Sequence, residues 1–78
     1  MNNQEKYNEA FTSSLGIDGP RLAGLEYQSV DTWDSVGHIE LVAALEEAFD
    51  IMLDTDDIID LSSYEKGIEI LKKYGVEL

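Results

Sequence analysis

Apolar side chains recur along this chain at helical spacing almost throughout, and no segment sustains the alternation of a half-buried strand. A chain patterned in this way buries stripes rather than sheet faces, so the expected class is all-α. Tyr7, Ala10, Phe11 and Leu15 share one face of a first helix expected over residues 3–15, with Gly16 placed to end it. A second helix is expected over 35–49, a short third over 55–60 and a last over 63–74. Asp34 and Asp54 stand at cap positions for the second and third, Ser62 and Glu65 have the spacing of a capping box for the fourth, and Gly75 terminates it. Short connections favour antiparallel neighbours, so the expected architecture is an antiparallel four-helix bundle of three main helices plus one short helix. Residues 16–34 form a long loop between the first and second helices, punctuated by Gly19-Pro20 and Gly24. A loop of this length has to be pinned or functional, and Leu22, Leu25, Tyr27 and Val30 are the candidates to pin it to the core.

The 78 residues are expected to make a single domain, 1–78. A chain of that size buries about 60–65% of its unfolded surface, which leaves little room for an enclosed catalytic cleft. No apolar run approaches the roughly 20 residues of a membrane span. The first residues, Met1-Asn2-Asn3-Gln4-Glu5, show no secretory signal, so a cytoplasmic protein is expected. The absence of cysteine excludes disulfides, thiolate zinc sites and a thiol nucleophile supplied by the protein itself. Net charge is −12, and between Arg21 and Lys66 twelve carboxylates occur without a single Lys or Arg. A field of that sign repels nucleic acid and anionic membranes and attracts basic protein surfaces; the plainer reading is that it keeps a small domain soluble.

Around the axis of the second helix, Leu41, Val42, Leu45, Ala48 and Phe49 fall in one sector, taken as the core face with Ile39 at its border. Val36, Glu40, Ala43 and Glu47 form the opposite stripe, with Ala44 beside them. The helix carries no basic residue to pair with these carboxylates, so the stripe is expected to dock a partner that brings positive charge, unless it is simply a solvated face.

The same helix opens with Asp34-Ser35-Val36-Gly37-His38-Ile39-Glu40-Leu41 and continues into Ala44-Leu45-Glu46-Glu47-Ala48-Phe49-Asp50. The first segment resembles the phosphopantetheine attachment site of acyl carrier proteins, and the second resembles that family's Ala-Leu-Glu-Glu-x-Phe-Asp stretch. Leu53, Leu61, Ser62, Ile68 and Leu71 fall where the family has apolar or capping residues, so the resemblance covers roughly the C-terminal three-fifths, with the first helix matched only by pattern. It implies a carrier rather than an enzyme, with 4'-phosphopantetheine joined covalently to Ser35 and acyl groups held as thioesters on its terminal thiol. Asp34 is then both the helix cap and a contact for the phosphopantetheinyl transferase that installs the arm. With Asp34 as cap, Ser35 is free of capping duty, and Trp33 and His38 are placed to form a staple-like pair across the helix start. The resemblance further implies a monomer whose partners are acyl-chain synthases and transferases with basic docking patches, and an acyl chain sheltered beside the second helix by Leu45, Ile58 and Leu61. The family's fatty-acid-synthesis members have an acidic residue where this chain has Gly37, followed by His38. A looser first turn and one fewer transferase contact are therefore expected, which fits a specialised pathway (polyketide or modified lipid) as well as fatty acid synthesis.

Three rival readings come from the residues alone. Asp54, Asp56, Asp60, Ser62 and Glu65 occupy EF-hand positions one, three, seven, nine and twelve, but Ile58 and Ile59 stand at positions five and six. No specific metal site is therefore expected, only weak divalent-ion binding that relieves self-repulsion. Ser35 with His38 as nucleophile and base lacks an orienting carboxylate and an oxyanion hole. An acidic protein-interaction module or nucleic-acid mimic would need the charge and not the serine.

Overall fold

The computed structural model describes residues 2–78. Among them there are four α-helices and no strand: α1 (Asn3–Leu15), α2 (Ser35–Phe49), α3 (Thr55–Asp60) and α4 (Tyr64–Lys73), with a short 3₁₀ turn at Gly19–Arg21 inside the long loop. The buried apolar residues form a single cluster to which every helix or its flanking loop contributes. Among the described residues no helix is long and apolar enough to cross a membrane.

Each helix start and stop has a local cause. At α1, the Asn2 side chain accepts from the Glu5 amide while the Glu5 carboxylate accepts from the Asn2 amide, a complete capping box. Gly16 then ends the helix at φ +66°. The Asp34 carboxylate caps α2 by accepting from the Gly37 amide at 2.9 Å. Gly75, at φ +81°, closes α4 with a pair of bonds in which its own N–H reaches Lys72 and that of Val76 reaches Leu71.

Two caps differ from expectation. The α4 cap is Ser63, whose hydroxyl accepts from the Lys66 amide, and not Ser62. The reason lies in the long loop: the Tyr27 amide donates to the Ser62 carbonyl and the Tyr64 amide to that of Leu25, an isolated antiparallel bridge between Glu26 and Ser63 that holds residue 63 extended and delays the helix by one residue. Glu65, freed from the capping box, accepts from the Gly24 amide. At α3, Asp54 has the extended backbone of a cap but makes no side-chain cap bond.

The long loop is held by Ile17, Leu22, Leu25 and Trp33, all buried; Val30 is half-buried, and Tyr27, expected inside, is 37% exposed. Aromatic rings connect α1 to the loop and to α4. Phe11 meets Trp33 edge-on with centroids 5.5 Å apart and Tyr64 at 5.3 Å, while Tyr7 lies 4.9 Å from Phe11. Tyr7 is fully buried and donates to the Tyr64 carbonyl; burial pushes its hydroxyl well above the usual phenol range, so it remains a donor at any working pH.

Asp57 is the one buried charged side chain among the described residues. Lys73 donates to one carboxylate oxygen and the Tyr74 hydroxyl to the other at 2.6 Å, while Tyr74 also accepts from the Asp54 amide, so α3 is tied to the end of α4. The Lys73 hydrogen bond, followed by that of Tyr74, holds the Asp57 carboxyl below the ordinary aspartate range. A group lowered in this way stabilises the fold above its unfolded pKa of about 4, and the contribution is lost as pH falls through the folded value. The stability difference between the wild type and Asp57→Asn should therefore be largest at neutral pH and shrink below about pH 4. Urea denaturation of both proteins at several pH values measures it, and comparing the two removes the effect of overall charge.

Candidate functional site

The candidate site is the start of α2 and the ground between that helix and α3. Ser35 is the first residue of α2 and is exposed, and its hydroxyl makes no hydrogen bond to another described residue. Asp34 takes the cap bond instead. This division leaves a nucleophilic oxygen open to solvent at the end of a helix whose dipole favours attached negative charge.

Val36, Glu40, Ala43 and Glu47 are all exposed on one side of α2. Ile39 belongs with them. It is 70% exposed, because it precedes Leu41 by two residues and so lies roughly 160° from it around the axis. The border assignment is corrected on that arithmetic, and the stripe becomes more apolar: Val36 is 63% exposed beside Ile39. Met52 and Ile59, at 82% and 72%, add further exposed apolar side chains on the segments that follow.

Gly37 and His38 occupy the inner side of the first turn in Ile39's stead. Gly37 is buried; a Cβ built on it would lie 1.9 Å from the Thr32 carbonyl oxygen and 3.2 Å from a Leu15 methyl. The expectation of a looser first turn is therefore replaced by one of close packing against the loop, in which only glycine fits. His38 forms the expected pair with Trp33: the ring planes lie 16° apart with centroids 6.3 Å apart, and the rings meet edge to edge, the Trp33 indole N–H donating to His38 Nδ1 at 3.0 Å. His38 Nε2 lies 2.7 Å from the Ile58 carbonyl oxygen. Since an indole N–H can only donate, Nδ1 is the acceptor, and Nε2 carries the proton and donates to Ile58.

A pocket of about 240 Å³ lies between these elements, lined by Tyr27, His38, Ile58, Ile59, Leu61 and Ser62. Ile58 and Leu61, expected as lining residues, are there; Leu45 is buried in the core and does not line the pocket. Tyr27, His38, Ile59 and Ser62 line it without having been expected to. The helical wheel points His38 inward, and that signal was readable; Tyr27 reaches the pocket only through the fold of the long loop.

Residues 54–65, the span of the possible calcium loop, contain helix α3, and Glu65 is engaged with Gly24. Among the described residues no group of three or more His, Asp or Glu side chains is arranged to hold a metal ion. No family model, curated protein or solved structure matches this chain.

Proposed function

We propose that this chain is an acyl carrier protein, loaded on Ser35 with a 4'-phosphopantetheine arm. The observation that carries the reading is the exposed Ser35 hydroxyl on the first residue of α2, relieved of capping by Asp34. A transferase can approach such a hydroxyl from solvent, and the phosphodiester it makes sits at the positive end of the helix dipole. The arm brings the thiol that a chain without cysteine lacks. Acyl groups travel on it as thioesters, and the pocket beside His38 is within reach of the arm's root, since residues 35 and 38 are neighbours on the helix surface.

The stripe of Val36, Ile39, Glu40, Ala43 and Glu47 supports docking to partner enzymes that present basic side chains around an apolar centre. The antiparallel bundle of the family is supported by α1 and α2: Ser14 lies against the Glu40 backbone near one end, while Lys6 and Glu9 share a groove with Glu47 and Ala48 toward the other.

The test is intact mass after incubating the purified apo protein with coenzyme A, magnesium and a broad-specificity phosphopantetheinyl transferase. The expected result is a gain of one phosphopantetheine in the wild type and none in Ser35→Ala, whose helical circular dichroism is unchanged because Asp34 still caps α2. No gain with several transferases overturns the proposal and leaves an acidic interaction module as the better reading.

A further inference from the structure

Helix α3 is six residues long, and a helix of one and a half turns does not hold its place by itself. Two polar tethers hold it here. One is the Asp57 grip on Lys73 at the end of α4 and on Tyr74 just after it; the other is the His38 bond to the Ile58 carbonyl, which among the described residues is the only hydrogen bond joining α2 to α3. Ile58 also lines the pocket between those helices, as does His38, so the second tether forms part of the wall of the pocket it borders.

The tether is a relay of three groups. Trp33, fully buried and fixed between Phe11 and Tyr27, donates to His38; that bond sets the tautomer, and the tautomer makes Nε2–H the donor to Ile58. Turning the imidazole away would leave the indole N–H without its acceptor and the Ile58 carbonyl without its donor, so the ring is held in the closed position from both sides.

We propose that His38 is a latch on the pocket between α2 and α3, holding α3 in place so that the pocket does not widen to take the cargo on Ser35 until the bond to Ile58 opens. The latch itself is a property of the unmodified chain; its bearing on cargo rests on the carrier reading. His38 acts through Ile58 and is a positioning residue.

Two substitutions separate the latch from simple packing. His38→Phe keeps a flat ring against Trp33 and removes both bonds, whereas His38→Gln retains an acceptor for Trp33 and a donor for Ile58. Amide hydrogen exchange of the unmodified proteins, followed by NMR, is the first measurement. Amides of α3 should exchange about tenfold faster in His38→Phe than in the wild type, those of α1 should change much less, and His38→Gln should recover most of the protection. Equal α3 exchange in all three proteins, or the same acceleration in α1 as in α3, overturns the latch. The second measurement uses the proteins loaded with an octanoyl group: methyl resonances of Ile58 and Leu61 should shift in His38→Phe and hardly at all in the wild type. Equal shifts in both would show that the latch does not control entry. Failure to load Ser35 would count against the carrier reading alone, since the exchange measurement needs no arm.

Discussion

Trp33→Ala should lower the melting temperature by roughly 12–40 °C, taking a cost of about 3–5 kcal/mol and the sensitivity of a 60–100-residue domain. Trp33 is fully buried, and its indole touches α1 through Phe11, the long loop through Tyr27 and α2 through His38. Truncation removes these contacts and leaves a cavity that the surrounding helices cannot fill without moving apart. It also leaves His38 Nδ1 without its donor. A domain of 78 residues has a total stability of only about 4–12 kcal/mol, so a loss of this size brings the variant close to unfolding at room temperature. Circular dichroism is the appropriate probe, because the substitution removes the only tryptophan. A fall of less than about 5 °C would mean that the loop and α2 are held together by something other than this ring.

Gly37→Ala is a test of sign. Within a helix, alanine is favoured over glycine by about 1 kcal/mol, so propensity alone predicts a more stable protein. Packing predicts the opposite. The new Cβ would lie 1.9 Å from the Thr32 carbonyl oxygen, a backbone atom one residue before Trp33, and relieving the overlap means pushing the loop off the helix start. Overpacking of this kind costs about 1–3 kcal/mol, so a net loss is expected, and Gly37→Asp should lose more because it also brings a carboxylate against a carbonyl oxygen. Urea denaturation decides between the two effects: a higher midpoint for Gly37→Ala would show that the loop yields freely. An acidic side chain has no room at this position while the loop keeps its course.

Most of what could be read locally stands, the helix bounds above all. The bounds of α1, α2 and α3 follow from apolar spacing together with Gly16 and Asp34, both of which act within a few residues of themselves. The Trp33–His38 pair was legible for the same reason, spanning a single helix start. Two misplaced details are local, Ile39 set at the border of the core face and Asp54 set as a side-chain cap; the others are decided by distant chain. Ser62 lost the cap to Ser63 because Leu25 and Tyr27 hold the approach to α4 extended. Gly37 is a packing glycine because Thr32 and Leu15 crowd it.

The sequence by itself determined the helices, the burial of Tyr7, Phe11, Leu41 and Leu45, the acidic stripe on α2 and the exposed serine at its start, since each depends on periodicity or on a cap a few residues away. Only the tertiary structure decided that Asp57 is a buried charge held by Lys73 and Tyr74, that Tyr27 walls a pocket, and that His38 bonds to Ile58 in the wall of that pocket. Those arrangements join groups 16 to 20 residues apart, or a loop to a helix it does not adjoin. Their partners are chosen by how the long loop and α3 settle on the common core, and no local pattern encodes that choice.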